Sequence, residues 1–280
     1  INRLKFFENP IDMVSDNKID VIVELIGGDE GVAKDLCFSA LKNNKAVITA
    51  NKALIAKYGK ELAEIAEERN LFFSFEASVA GGIPILKVIR EGLIVNEITK
   101  LTGILNGTSN YILSKMEKEQ KSFDIVLKEA QKKGFAEADP SFDVDGIDAA
   151  HKTIILSALA YGKMPNVNNL TIKGIRDITL NDISYCDQLG YKIKLIGVGK
   201  IKGDKVDLRV HLALLKNSNP LANVNEEFNA ILIDSTNLGP VMKYGYGAGM
   251  MPTASAIISD IIKTLSLIHI SEPTRLLSIW

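Results

Sequence analysis

The stretch from Glu137 to Lys152, EADPSFDVDGIDAAHK, gathers five carboxylates into a segment broken by Pro140 and Gly146, and ends on a lysine. Clustered carboxylates can hold an ammonium group or a cation. A lysine held out of bulk water can give or take a proton. After Gly146 the pattern is helical, with Asp148, Lys152, Ile155 and Leu159 at i, i+4, i+7 and i+11, on one face. The apolar members should face the core, so Asp148 and Lys152 stand at the head of a buried stripe. Asp148 lies in the first turn, where the helix dipole favours an anion. A half-buried ion pair needs good geometry to repay its desolvation. The same spacing equally suits an ordinary ion pair beneath a solvated acidic loop. His151 is one step round the helix and reads as structural or surface.

Three further segments carry chemistry-bearing residues. TANKALIA (Thr49–Ala56) sets Lys52 just past the end of an apolar run; read on spacing alone, it is a strand-to-helix loop with Asn51 as the helix cap. EASVAGGIPI (Glu76–Ile85) joins a carboxylate to a glycine-rich turn, whose carbonyls could bind a cation or whose amides an anion. The alternative is a tight helix entry that needs Gly81 and Gly82 for close approach. GYGAG (Gly245–Gly249) feeds a helix start, a place suited to phosphates, but it is GxGxG, not GxGxxG, and serves equally as a packing turn.

The elements around these residues follow from periodicity. Val21–Leu25 reads as a buried strand stopping at Gly27-Gly28, followed by a helix from about Glu30 to Asn43. Ala46–Ala50 is the next strand, Leu54–Arg69 an amphipathic helix and Leu71–Glu76 a third strand. This alternation predicts a parallel sheet with crossover helices, whose ligands bind beyond the strands' carboxyl ends. Beyond Pro84 the texture changes. A helix to Arg90, a strand at Glu97–Asn106, helices near Asn110–Glu117 and Phe123–Lys133 and a long helix from Ile147 to Tyr161 precede four strands. These are Tyr191–Lys200, Lys205–Leu215, and two around Phe228–Asp234 and Val241–Tyr244, with a hairpin turn at Asp204-Lys205. This half reads as α+β with a mostly antiparallel sheet. A helix from about Thr253 to Thr264 closes the pattern.

Bulk properties narrow the function. A formal net charge of −1 and no basic patch argue against nucleic-acid or membrane-surface partners. Two distant cysteines, Cys37 and Cys186, exclude a disulfide scaffold and a cysteine zinc site, and point to a reducing cytoplasm. No apolar run reaches the ~20 residues of a membrane span.

Taken together, the segments resemble homoserine dehydrogenases. The family signature, A-x₃-G-apolar-x₃-DP-x₂-D-x₂-G-x-D-x₃-K, runs here from Ala130 through Gly134, Asp139-Pro140, Asp143, Gly146 and Asp148 to Lys152. LIGG, TANKALIA, EASVAGGIPI, GILNGTSNYIL and YGYGAGMMPTASA follow in the family's order, over about residues 10–264. The resemblance implies an α/β fold: a partial Rossmann-type parallel sheet over residues 1–83, an α+β catalytic and dimerisation domain over 84–244, and a returning helix over 245–264. It implies interconversion of L-aspartate 4-semialdehyde and L-homoserine with NADPH or NADH, on the route to threonine and methionine, in a cytoplasmic homodimer. Lys152 and Lys52 would be the catalytic lysines, with Asp148 orienting Lys152. Glu137 and Asp143, with Gly107 and Thr108, would bind the substrate, and Asn106, Gly107 and Thr108 would lie where the family's substrate loop turns. Ile26, Gly27, Gly28, Lys52 and Gly249 would line the cofactor, and Glu76 with the carbonyls of Val79, Gly81 and Ile83 would hold a sodium ion. Family members open with a strand, a glycine-rich loop and a helix that lie before Ile1, so poor cofactor binding is expected of this chain. The final residues, 265–280, look foreign to the family. Two alternatives stand beside the enzyme: another two-domain amino-acid dehydrogenase, and a non-catalytic dimerising module.

Overall fold

The computed structural model describes residues 5–163, 165, 170–203 and 205–268. The chain divides into two compact units, one of residues up to Ser78 and from Thr253 onward, the other from Val79 to Pro252.

In the first unit β1 (Val21–Glu24), β2 (Ala46–Thr49) and β3 (Phe73–Ser74) form a parallel sheet in that order, connected by α1 (Val32–Lys42) and α2 (Lys52–Glu68). β2 is buried at all four positions, as a central parallel strand should be. β1 departs from the buried strand expected. Ile22 and Glu24 are buried, but Val23 is partly open and Leu25 and Ile26 beyond it are exposed, because among the described residues β1 pairs only with β2. α2 begins where Asn51 Oδ1 accepts the amide of Leu54 (3.1 Å), so Asn51 is a helix cap. Leu54, Leu62 and Ala66 of α2 pack on Leu36 and Leu41 of α1 and Val47 of β2.

The second unit begins with α3 (Ile85–Lys87), which runs into a π-helical turn at Val88–Gly92, then β4 (Ile98–Ile104). α4 (Gly107–Glu119), α5 (Phe123–Lys132), α6 (Ser141–Val144) and α7 (Ile147–Tyr161) follow. Then come β5 (Thr171–Ile172), α8 (Leu180–Gln188), β6 (Tyr191–Lys202), β7 (Lys205–Lys216), β8 (Phe228–Ser235) and β9 (Gly239–Tyr246). The strands form one sheet ordered β5-β7-β6-β4-β8-β9, antiparallel except where β5 lies beside β7. The mostly antiparallel sheet expected from the sequence is therefore present. β6 and β7 pair from Tyr191↔Lys216 to Lys202↔Lys205; Lys205 is already in the strand, and Asp204 of the expected turn lies outside the described residues. β5 and α8 were not foreseen. β5 has two residues, and α8 is held by a Thr179–Asp182 capping box with only Ile183 buried, so neither shows an apolar period.

α7 is buried on nearly every side over its first three turns, from Asp148 to Ser157, rather than along one stripe. It lies close on β6 because β6 offers glycines there. A Cβ at Gly197 would fall 2.0 Å from Thr153 Oγ1, and one at Gly199 2.1 Å from Ser157 Oγ. The last helix, α9 (Met250–Ile268), outruns the end expected at Thr264; residues 269–280 of the foreign-looking tail lie outside the described residues. Asp260 of α9 accepts the Glu76 amide through Oδ2 (3.0 Å) within the first unit. No helix among the described residues is long and apolar enough to cross a membrane.

Candidate active site

The acidic segment and its lysine form one buried network in the second unit. Lys152 Nζ donates to Asp148 Oδ2 (2.8 Å) and to the Leu105 carbonyl at the end of β4 (2.8 Å). Lys152 is 7% exposed and Asp148 2%, so this is a desolvated pair with good geometry, not a solvated surface bridge. Asn106, between β4 and α4, joins it to Asp143. Its amide nitrogen donates to Asp143 Oδ1 (2.7 Å) and to Asp148 Oδ2 (2.8 Å). Its Oδ1 accepts from the Ser109 amide (2.7 Å), which makes Asn106 the N-cap of α4. Burial pushes the Asp143 carboxyl above the usual aspartate range, and the Asp148 charge adds to this, while hydrogen bonds from Asn106 and Thr108 oppose it.

The other expected substrate residues sit around this network. Gly107 opens α4 against the loop before β8, where a Cβ would meet the Glu227 carbonyl at 2.7 Å, so only glycine fits. The single Thr108 hydroxyl proton is shared with the Phe135 carbonyl (2.7 Å), tying α4 to the segment that leads into the acidic stretch. Glu137 is exposed, and its carbonyl accepts from Gln131 Nε2 (3.1 Å); the bonds described for the network do not include its carboxylate. His151 packs edge-on to Phe142, ring centroids 5.5 Å apart, which agrees with a structural role.

In the first unit the loop after β1 is shaped by Glu24, a residue the sequence did not flag. Its buried carboxylate accepts from the amides of Ile26 (2.6 Å) and Gly27 (2.9 Å) and from the Thr49 hydroxyl (2.6 Å). Asn51 Nδ2 donates to the Gly28 carbonyl (2.6 Å). Gly27 and Gly28 have φ of +88° and +82°, and a Cβ at Gly27 would meet nothing within 4 Å. This open, backbone-only surface at a strand's carboxyl end fits the close approach of a dinucleotide. Lys52 is the first residue of α2 and follows Asn51, which donates to that loop.

Glu76 is buried in a 3₁₀ turn (Glu76–Ser78) of the first unit. In the second unit Gly81 and Gly82 are tightly packed: a Cβ would lie 2.8 Å from the Gly247 carbonyl at Gly81, and 2.9 Å from Pro252 Cβ at Gly82. The close-approach reading of this turn is therefore met, and so is that of the GYGAG turn, whose Gly247 lies on the Asn229 amide.

A second lysine also went unforeseen. Lys194 of β6 is 1% exposed and donates to the Val224 carbonyl (2.5 Å), Asn225 Oδ1 (3.0 Å) and Asn110 Oδ1 (3.2 Å). Burial draws its ammonium down to about 8. Asn110 Nδ2 contacts the carbonyls of Val224, Glu226 and Phe228, so the two side chains clamp α4 to the loop that covers Gly107. A cavity of about 610 Å³ lies between α4 and α8, but it shares no lining residue with the Lys152 network. Its Lys115 and Lys192 are already paired with Glu119 and Glu117.

A three-stranded parallel sheet with crossover helices, and a mixed-sheet unit that buries a lysine among carboxylates, place the chain in the α/β class of folds. Comparisons with known proteins narrow it. The profile described as homoserine dehydrogenase matches residues 84–262, and that described as homoserine dehydrogenase, NAD binding domain, matches residues 3–76. A homoserine dehydrogenase of Neisseria gonorrhoeae is 46% identical over 270 residues, covering 96% of this chain and 62% of that protein. One from Bacillus subtilis is 47% identical over 254 residues, covering 91% and 58%. The crystal structure of a homoserine dehydrogenase from Thiobacillus denitrificans superposes with a TM-score of 0.91 at 47% identity, covering 97% of this chain and 64% of that one. A hyperthermophilic archaeal homoserine dehydrogenase in complex with NADPH superposes at 0.83 with 33% identity, covering 95% and 77%. This chain belongs to the homoserine dehydrogenase family, and it spans about 60% of the length of the curated relatives it matches.

Proposed function

We propose that this chain carries the catalytic part of an NAD(P)-dependent oxidoreductase that interconverts L-aspartate 4-semialdehyde and L-homoserine, in threonine and methionine biosynthesis. The observation that carries this reading is the buried Lys152–Asp148–Asn106–Asp143 network. It holds two carboxylates and one ammonium, so a substrate ammonium brings charge balance. Glu137 and Asp143 hold that ammonium, and the amides at the start of α4, Gly107 and Thr108, face the rest of the substrate. Lys152 gives its proton to the aldehyde oxygen as charge develops there, while Asp148 and the Leu105 carbonyl fix its direction. Lys52, the second catalytic lysine, offsets the developing alkoxide. NADPH or NADH, when bound, supplies the hydride; Ile26, Gly27, Gly28, Lys52 and Gly249 would hold it. An NADPH complex of a relative and the NAD-binding profile over residues 3–76 support this cofactor.

The proposed division is nucleotide binding by residues 1–83 and the returning segment 245–264, whose helix α9 starts at Met250, and catalysis and dimerisation by residues 84–244. Glu76 with the carbonyls of Val79, Gly81 and Ile83 would hold a sodium ion. A cytoplasmic homodimer is the proposed state; both cysteines being free thiols agrees with that compartment. The test is steady-state oxidation of L-homoserine with NADP and with NAD, on this chain and on the chain extended to its gene's start codon. Turnover in either identifies the reaction; none in both, with folded protein, rejects it and favours the dimerising module.

A further inference from the structure

We propose that Asn106 is a positioning residue that holds Asp143 and Asp148 together as two anions, and so fixes both the ammonium-binding carboxylate and the carboxylate that aims Lys152. This rests on the dehydrogenase reading above and deepens it.

The orientation of the Asn106 amide is forced. Its oxygen accepts the Ser109 amide at 2.7 Å, and ionised carboxylates are acceptors only, so its –NH₂ faces Asp143 and Asp148. One hydrogen goes to each. The two carboxylates therefore lie within reach of a single nitrogen, in a region where Asn106 is 4% exposed and Asp148 2%. Among the described residues, Asn106 bonds the charged side chains of Asp143 on α6 and Asp148 on α7, and Lys152 of α7 bonds Asp148; Glu227 presents its carbonyl to neighbouring Gly107. Lys152 bonds Asp148 directly and Asp143 only through its charge. Without Asn106, Asp143 would keep its burial and the repulsion of Asp148, and both favour its protonated form. A protonated Asp143 lacks the charge that pairs with an ammonium and holds it more weakly.

Two variants keep the helix cap and remove the bridge. Asn106→Ser retains a capping oxygen without the forked donor, and Asn106→Asp caps but adds a third anion. Losing a hydrogen bond to a charged group moves its titration by about one to two pH units. The acid limb of kcat/KM for reduction of L-aspartate 4-semialdehyde, the direction in which Lys152 acts protonated and sets the basic limb, should therefore move up by about one unit in Asn106→Ser and further in Asn106→Asp. KM should rise at low pH, and raising the pH should rescue Asn106→Ser. In parallel, carboxyl-carbon NMR of aspartate-labelled protein should show the Asp143 titration, identified by its loss in Asp143→Asn, rising in Asn106→Ser. An unmoved Asp143 titration in a variant that melts like the parent overturns the proposal, as does an unmoved acid limb. A parent protein inactive on homoserine defeats the dehydrogenase reading, and the carboxyl titration still decides whether Asn106 holds the pair.

Discussion

Lys152 donates to one anion and one carbonyl inside the protein, and an ammonium has three donors, so a substrate oxygen can take the remaining one. Removing that donor should slow the chemical step and leave the fold. Lys152→Ala is expected to lower kcat by roughly 10²–10⁴-fold with an unchanged circular dichroism spectrum. Turnover equal to the parent's would take Lys152 out of the reaction. Asp143 makes the opposite kind of prediction. Its carboxyl is raised on folding, so its contribution to stability is full below the ordinary aspartate value and is lost as pH rises through the raised one. At neutral pH the ionised group is a cost. Asp143→Asn should therefore melt at or above the parent's temperature near about pH 7, and lose that advantage toward about pH 4. A variant less stable at neutral than at acid pH, relative to the parent, would contradict this. The Asp148–Lys152 pair was legible because four residues on a helix fix it locally. Asn106 was legible only as part of the substrate-loop turn; its bridge was not, because its acceptors lie 37 and 42 residues away and only folding brings them to one amide.

α7 owes its position to β6, and β6 to two glycines and a buried cation. Thr153 donates to the Ala149 carbonyl (2.7 Å) on the turn that carries Lys152, and its Oγ1 stands where a Cβ at Gly197 would go. Gly197→Ala must turn Thr153 away from that bond, at a cost of about 1–3 kcal/mol. Adding Thr153→Ala should return most of the loss in a chemical denaturation series; no recovery would mean that the strain lies elsewhere. Lys194 can be tested through pH. Its folded value of about 8 lies below its ordinary 10.5, so the penalty of burying its charge is full below 8 and relieved as pH rises between them. Over that window the parent should gain stability relative to Lys194→Met, read as the difference of their melting temperatures; a difference flat with pH would refute it. The long strands and α7 were readable from period and length. β6 gave no warning that one of its lysines points inward, since a strand's alternation names two faces without saying how a charge on the inner one is satisfied. There the satisfaction comes from Asn110 and the loop before β8, far away in sequence.

The two units differ in how completely they cover their sheets. In the second, β6, β4 and β8 each have neighbours on both sides. The parallel pattern of the first unit was also legible, because strand and crossover helix alternate at fixed lengths. The exposure of β1 was not, since an apolar run reads alike at the centre and at the rim of a sheet. Among the described residues that strand shows a row of backbone donors and acceptors without a ladder partner, flanked by the open side chains of Val23, Leu25 and Ile26. Such a rim templates pairing with another chain. Val23→Lys should delay the rise of light scattering in concentrated solution and leave the melting temperature within a few degrees; scattering unaffected by the added charge would place the sticky surface elsewhere. A delay in scattering would mean that four residues of strand, more than the buried chemistry, set how crowded a solution this chain tolerates.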